Sequence, residues 1–241
     1  MIVFIELGRR VGRRARAGDP TGGSVGLSAI DGAVFALFGL LIAFTFSGAA
    51  ARFDDRRKLI IDEANDISTA YNYLDLLPAS DQPPMRDLFR KYIDARISTF
   101  EKLPDIPAAE AELAVSLGLQ DQIWTRAIAI CKSNGDSPAT MLLLGSLNEM
   151  NNITTSRTAA TRLHPPATIF GLLFGLGLCS ALLAGYGMSG AKAPSWAHIF
   201  GFAAVIGLCV YIILDLEYPR LGFIRITEAD QVMKDVRAAM H

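Results

Sequence analysis

The sequence predicts an all-α integral membrane protein with three transmembrane helices and a helical soluble bundle inserted between the first and the second. Three apolar runs, at 32–51, 167–188 and 196–214, reach the length of about 20 residues that a helix needs to cross a bilayer. None of them contains Lys, Arg, Asp or Glu. Between the first two runs, apolar residues recur every three to four positions, which indicates amphipathic helices rather than strands.

Composition and charge exclude several classes of function. Hydrophobic residues make up 51% of the 241 residues, and the formal net charge of −1 gives no reason to expect nucleic acid as a partner. The 3 Cys residues lack the spacing of a disulfide framework or a metal site. MIVFI is too short for the apolar core of a secretory signal, and positive charges follow it rather than precede it.

The chain is predicted to begin with a basic N-terminal segment at 1–27 and a first transmembrane helix at 28–51. The basic segment ends in DPTGG, a turn sequence, and Ser28 with Asp31 resembles a capping box. No Gly or Pro interrupts the chain from the membrane edge to residue 77, so the first transmembrane helix should be continuous with the helix to that point. Such a helix would extend about 70 Å, more than twice the thickness of a bilayer core.

The soluble helical bundle is predicted at 52–166. Its first helix carries an apolar stripe in steps of seven, which predicts a face that is buried against neighbouring helices. The stripe consists of Phe53, Ile60, Ile67 and Leu74. Three further helices are predicted by periodicity at 84–103, 108–132 and 138–163, and SNGDSP separates the last two.

The second and third transmembrane helices, at 167–188 and 195–214, are predicted to form a hairpin turned by SGAKAPS. A polar C-terminal tail at 215–241 follows and looks helical from Glu228 onward. Because a hairpin returns the chain to the side it left, the bundle and the tail share one side of the membrane. Lys and Arg near the membrane are more numerous on that side, which favours the cytoplasm, although the N-terminal arginines argue for the reverse.

No enzyme site is visible in the sequence, so we expect a protein that is not an enzyme and that needs no cofactor or metal. The 3 His residues lack ligand spacing, and there is no nucleophile elbow, phosphate-binding loop or acidic metal loop. Asp62, Glu63 and Asp66 fall on one helix face. A solvated or intersubunit polar face is the favoured interpretation of these acids, and a cation site is the alternative.

A stripe at alternating spacings of four and three runs down the first transmembrane helix. If several copies of this helix surrounded an axis, the stripe would form an apolar constriction, then a polar step, then rings of positive charge that favour anions. The alternative is that the stripe faces lipid and its arginines are interfacial anchors. The candidates for lining a pore are Phe38, Ile42, Thr45 and Ala49, and those for the charged collar are Arg52 and Arg56.

Two acids at the end of the third apolar run are possible ion-pair partners of this collar. Asp215 and Glu217 should lie at the same membrane depth as the two collar arginines. An ion pair there would offset the cost of removing both charges from water.

Three segments together resemble one family. They are LLIAFTFSGAAARFDDRRKLIIDEANDISTAYNYLDLLP at 40–78, LNEMNNITTSRTAATRLHPPAT at 147–168 and LDLEYPRLGFIRI at 214–226. This arrangement resembles the bestrophin-like bacterial membrane proteins, a family known mostly as a domain of unknown function. The resemblance places Glu63 and Tyr71 in the first family motif and Asn148 and Glu149 in the second.

The resemblance implies a homo-oligomer, a pentamer by kinship to bestrophins, embedded in the bacterial inner membrane with inorganic anions as ligands. In bestrophins a pore-lining helix leaves the membrane into a cytosolic helical bundle. Family members usually carry a longer apolar segment before an ELGRR-like motif, whereas only MIVFI precedes Glu6 here. A four-helix membrane unit would therefore lack its first helix or most of it. The acidic calcium clasp of animal bestrophins has no counterpart.

Three functions remain open from the sequence. The leading hypothesis is an oligomeric ion channel that conducts anions, since it accounts for the long continuous helix and its stripe. A non-conducting membrane scaffold or sensor, which recruits a partner through the bundle, is the alternative. A motor subunit of the TolQ and ExbB type is a further alternative, but such subunits need an ionisable group within the membrane.

Overall fold

The structure of the protein, a computed structural model, describes residues 1–18, 24–134, 138–190 and 195–241, and these residues form helices and connecting turns without a strand. The prediction of an all-helical fold is therefore confirmed for the described part of the chain. The predicted turns DPTGG, SNGDSP and SGAKAPS lie wholly or partly outside the described residues. The helices are α1 Ile2–Gly18, α2 Ser24–Asn72, α3 Gln82–Glu101, α4 Ile106–Asn134, α5 Pro138–Arg162, α6 Ala167–Gly187, α7 Trp196–Glu217 and α8 Thr227–Ala239.

Three helical stretches are long and apolar enough to cross a membrane: Ser28–Leu76, Pro138–Gly190 and Trp196–Glu217. They contain the three apolar runs. The first belongs to α2, a single helix of 49 residues that is about 70 Å long. A short 3₁₀ helix, Tyr73–Leu76, follows it directly.

The chain divides into two compact units, and the division falls inside α2. One unit, called here the apolar unit, comprises Met1–Ala51 and His164–Glu217. The other, called here the bundle unit, comprises Arg52–Leu163 and Tyr218–His241. The continuous helix α2 thus contributes its first part to the apolar unit and its second part to the bundle unit.

The apolar unit contains a helix that the sequence analysis did not predict, α1, which lies in the basic segment at 1–27. Helix α1 packs along α6, and its buried face consists of Ile5, Gly8, Arg9 and Gly12. This face has helical spacing, but two of its members are glycines and one is an arginine. A search for apolar periodicity therefore does not detect it.

Glycines allow the backbones of α1 and α6 to touch. A Cβ at Gly8 would meet the carbonyl oxygen of Leu182, and a Cβ at Gly185 would overlap the carbonyl oxygen of Ile5. Close approach through small residues is the usual way to gain contacts between helices in lipid. The GxxxG pair at 171 and 175 has open space around both positions, so it plays no such role within the chain.

The bundle unit is built around the second part of α2. Ile60, Ile67 and Leu74 of the predicted heptad stripe are at most 2% exposed, and Phe53 is half-buried against the same core. The stripe is therefore confirmed as a buried face. Side chains from four further α-helices complete the core, with Phe89 from α3, Ile123 from α4, Met150 from α5 and Met233 from α8 among them.

The C-terminal tail belongs to the bundle unit. Its helix α8 buries Ala229 and Met233 in the core. The Tyr71 hydroxyl donates a hydrogen bond of 2.6 Å to the carbonyl oxygen of His241. Arg237 also binds Asp94 of α3, with 2.7 Å between Nε and the carboxylate. The tail is thus a structural part of the bundle.

Replacing Gly185 with Ala should destabilise the apolar unit by about 1–3 kcal/mol, because the added methyl group overlaps the α1 backbone and forces the helices apart. The measurement is the thermal unfolding midpoint of the purified protein in detergent. The matched control is Gly118→Ala in α4, where open space surrounds the position and Ala has the higher helix propensity. Equal midpoints for the two variants would contradict the packing described for α1 and α6.

Candidate functional site

Two residues of the predicted pore-lining stripe on α2 are buried within the single chain. Phe38 is 2% exposed and Ala49 is fully buried. The Phe38 ring packs against Gly177 of α6, where a Cβ would lie 3.2 Å from it. Burial within a single chain therefore argues against Phe38 and Ala49 as residues that line a shared pathway.

The two other members of the stripe, Ile42 and Thr45, are half-buried. The Thr45 hydroxyl donates to the carbonyl oxygens of Leu41 at 2.8 Å and Ile42 at 3.0 Å. These hydrogen bonds satisfy the hydroxyl within its own helix, as is common for Thr in apolar surroundings. The Thr45 hydroxyl therefore does not need an ion or a water molecule to satisfy its donor. A lining role for the stripe stays a prediction.

The opposite face of the same helix is apolar and uncovered within the chain. Leu37 is 55% exposed, Leu40 52% and Phe44 67%. Ser47 and Ala36 lie on the same face and are exposed as well. In a membrane, such a face contacts lipid or a second copy of the chain, or it lines the axis of an oligomer.

The two residues of the predicted basic collar differ in their surroundings. Arg56 is buried, and its guanidinium donates to the carbonyl oxygens of Ala160 and Leu163, each at 3.2 Å. These carbonyls end helix α5, where free acceptors and the negative end of the helix dipole favour a cation. Arg56 therefore holds the end of α5 in place. Arg52 is half-exposed and remains the collar residue with access to solvent.

The predicted acidic partners lie at the end of α7 and are buried. Asp215 is 6% exposed, and Glu217 is fully buried. The Glu217 carboxylate lies 2.9 Å from Nδ1 of His164, a residue of the same unit. His164 was not among the predicted partners. Ion pairing of these acids with Arg52 and Arg56 stays a prediction.

A buried ion network lies at the centre of the bundle unit. The Glu63 carboxylate, fully buried on α2, binds Arg96 of α3 with 2.6 Å between Oε1 and Nε. Its second oxygen binds Arg157 of α5 with 2.5 Å to Nη1. Thr154 and Tyr92 share a hydrogen bond of 2.8 Å beside this cluster. The acidic face of the sequence analysis is thus neither solvated nor intersubunit at Glu63, because two helices of the same chain cover it.

The ionised state of Glu63 depends on its partners. Glu63 lies beyond the apolar part of α2, and burial alone would raise the pKa of its carboxyl group. The charges of Arg96 and Arg157 outweigh burial, and they hold the pKa below its ordinary value. Burial, together with the Glu63 carboxylate, raises the pKa of the nearby Tyr92 hydroxyl. The cluster is therefore a carboxylate between two guanidinium groups beside a neutral phenol.

The network continues to the C-terminal helix through Arg157. Its Nη2 lies 3.5 Å from the Asp230 carboxylate of α8, which also binds Arg220 through two hydrogen bonds of 2.9 Å. The guanidinium groups of three arginines lie over the Phe100 ring, with Arg157 nearest at 3.7 Å. Helices α2, α3, α5 and α8 are thereby joined by charged groups.

The remaining family-motif residues have different positions. Tyr71 is buried, and its ring meets the Phe89 ring edge-on with 5.9 Å between centroids. Asn148 and Glu149 are exposed on α5. Within the described ranges, no group of three or more His, Cys, Asp or Glu residues has the arrangement of a metal site.

These observations first define a class of protein, an all-helical chain with three stretches able to cross a membrane and a separate helical bundle stabilised by buried charges. The family model of the bestrophin-like domain matches residues 4–231. The chain therefore belongs to the bestrophin-like family, as the sequence resemblance predicted. None of the curated proteins matches the sequence.

The fold is similar to that of a bacterial bestrophin homolog from Klebsiella pneumoniae. Two crystal structures of that protein, each with a single mutation, have a TM-score of 0.66 to this chain at 13% sequence identity. The similarity covers 98% of this chain and 97% of the homolog. At this identity the similarity concerns the fold alone.

Replacing Glu63 with Gln should destabilise the bundle unit by about 3–5 kcal/mol, because two buried guanidinium groups then lose their counter-charge. The measurement is chemical or thermal unfolding of the purified protein. The control, Asp55→Asn, removes a carboxylate from an exposed position on the same helix and should change stability by less than about 0.5 kcal/mol. A Glu63→Gln variant as stable as this control would contradict the network.

The pH dependence of stability in wild type and in Glu63→Gln gives a second test of the network. Because the folded-state pKa of Glu63 lies below its ordinary value of 4.5, its contribution to stability is complete above that pH and is lost as the pH falls through the folded-state pKa. The difference in unfolding midpoint between wild type and Glu63→Gln should therefore be constant from neutral pH to about 4.5 and shrink below it. A difference that grows with acidity would have the wrong sign for this explanation.

Proposed function

We propose that the chain forms a homo-oligomeric, anion-conducting channel in a bacterial inner membrane, with several copies of α2 around a common axis. Membership of the bestrophin-like family and the fold shared with a bacterial bestrophin homolog support this proposal. The kinship with bestrophins implies five copies. Chloride and similar inorganic anions are the substrates that the kinship implies.

The observation that carries the proposal is the uncovered apolar face of α2. Leu37, Leu40 and Phe44 follow one another at spacings of three and four, and each is more than half exposed in the single chain. An apolar ring made by copies of such residues would form a constriction that dewets when narrow, which is one way to gate ion flow. The lining residues proposed here are therefore Leu40, Phe44 and Ser47 rather than the buried Phe38 and Ala49.

The proposed membrane topology has three spans, with the bundle inserted between the first and the second. In this arrangement the bundle and the C-terminal helix lie in the cytoplasm, where the excess of Lys and Arg near the membrane is favoured. Arg52 would lie where α2 leaves the membrane. Its positive charge there would favour anions at the mouth of the pathway.

The bundle is proposed to control the pathway through α2. Glu63 is held between α3 and α5, and it belongs to the same uninterrupted helix as Leu40 and Phe44. A rotation or shift of the helix at Glu63 would therefore reach the apolar part without crossing a flexible joint. Coupling between the bundle and the pathway requires a stiff element that can take two positions, and α2 would be that element.

The test is chloride efflux from liposomes that contain the purified oligomer. Phe44→Ala should raise the efflux rate by about tenfold or more, because a smaller side chain widens and wets the apolar constriction. Potassium efflux measured in parallel reports the selectivity for anions.

The matched control is Phe200→Ala, which removes the same ring from an exposed position on α7 and should leave the efflux rate unchanged. Folded oligomers without any ion efflux would overturn the channel and favour the scaffold or sensor. Equal effects of the two Phe substitutions would place the pathway elsewhere than on this face of α2.

A further inference from the structure

A cavity of about 280 Å³ lies within the bundle unit, beside the buried ion network. Helices α3, α5 and α8 and the segment before α8 contribute its walls. A space of this size holds several waters and is far larger than a single halide ion needs. Its basic and aromatic lining residues are Arg96, Phe100, Arg157, Arg220, Arg225 and Lys234.

The positive charges around the cavity exceed the negative ones. Among the described residues, Arg96, Arg157 and Arg220 share the carboxylates of Glu63 and Asp230 as their ion-pair partners. One of these three guanidinium groups therefore lacks a counter-charge, although all three lie against the Phe100 ring. An uncompensated charge away from water is costly, and a bound anion removes that cost.

Arg96 is the arginine of this group whose hydrogen-bond donors are not all satisfied. Its side chain is fully buried and lines the cavity, and its Nε binds Glu63. Its two terminal nitrogens, Nη1 and Nη2, have no hydrogen-bond partner in the part of the chain that the structure describes. A guanidinium group carries five N–H donors in a planar fork that matches the oxygens of a phosphate or carboxylate.

The mouth of the cavity adds a second unpaired charge. Arg225 is exposed, and among the described residues it forms a 3.4 Å hydrogen bond to the Gly222 carbonyl but no ion pair. The only other cation of the lining, Lys234, is neutralised by Glu101 at 2.5 Å. Helix α8 begins at Thr227 in the cavity wall, and its N-cap residue, Ile226, makes no side-chain capping hydrogen bond. Such a helix end favours an anion.

We propose that this cavity is a binding site for a small, soluble, phosphate-bearing anion, held by Arg96 inside and Arg225 at the mouth. The five cations of the lining exceed the carboxylates of Glu63, Asp230 and Glu101 by two charges, which suits a ligand with at least two negative charges. The volume suits a phosphate group that carries a few further atoms. The site goes beyond the proposed channel, because binding in the bundle unit requires neither ion flow nor an open pathway.

The test uses full-length protein in detergent at constant ionic strength, with inorganic pyrophosphate as the probe. Pyrophosphate should raise the unfolding midpoint in a saturable manner, and isothermal titration calorimetry should give a single site per chain. Replacing Arg225 with Gln should weaken binding about tenfold or more, through the loss of one charge-assisted hydrogen bond. Because Arg225 is exposed, this variant leaves the buried network intact.

The matched control is Arg162→Gln, which removes an exposed arginine of the bundle unit that does not line the cavity. It should bind pyrophosphate as wild type does. Arg96→Gln should abolish binding, and its folded state is checked by circular dichroism before it is used.

Three results would overturn the proposal. The first is the absence of pyrophosphate binding to folded wild-type protein at millimolar concentration. The second is equal weakening by Arg225→Gln and Arg162→Gln, which would show general attraction to a basic surface. The third is binding of chloride, or of short-chain phosphatidic acid in the micelle, in place of soluble pyrophosphate. Each of these readouts is independent of liposome efflux, so failure of the channel proposal leaves the site testable.

Discussion

The bundle unit depends on the buried carboxylate of Glu63. Removing this charge from water is unfavourable unless it is paired, and among the described residues Arg96 and Arg157 are its partners. A buried ion cluster need not be more stable than an apolar core of the same shape. Its effect is on alignment, because Glu63 of α2 meets Arg96 of α3 and Arg157 of α5 only when the three helices pack in one register. The apolar stripe of α2 supplies the burial, and the charges specify which way the helices meet.

The apolar unit depends instead on glycines, which have no side chain to keep its helices apart. In lipid there is little hydrophobic gain when two helices meet, so close packing has to supply the attraction. Gly8 and Gly185 provide it by letting α1 and α6 approach until backbone touches backbone. One unit is therefore held by large charged side chains and the other by the smallest residues. Helix α2 contributes to both units, since it is uninterrupted where they divide.

Arg157 connects the structural role of the network with its chemistry. It binds Glu63 on one side and lies 3.5 Å from Asp230 on the other, and it also lines the cavity beside Phe100. An anion in that cavity would act on the same guanidinium group that holds α2. A ligand for the bundle and a pathway along α2 would then share one residue, and the proposed channel would have a physical means of responding to a soluble signal.

Much of the fold could be read from the pattern of residues, whereas little of the candidate site could. Runs without charge and apolar residues at helical spacing are local features, so the three membrane-competent stretches, the uninterrupted α2 and its buried heptad stripe followed directly. Helix α1 was missed because its buried face is made of Gly and Arg. Phe38 was a candidate for lining a pore, and in the structure its ring packs against Gly177 of α6. The spacing of residues along a helix identifies which of them share a face, but it does not identify the element that packs against that face.

The sequence by itself thus determined the class, the family and every helix except α1, because each of these rests on short-range order along the chain. Only the tertiary structure decided which charges meet. Glu63 stands 33 positions from Arg96 and 94 from Arg157, and nothing local relates them. The same holds for the cavity, whose excess of positive charge arises only when α3, α5 and α8 pack together. Ion pairing and cavity shape depend on distances in space, which spacing along a chain does not encode.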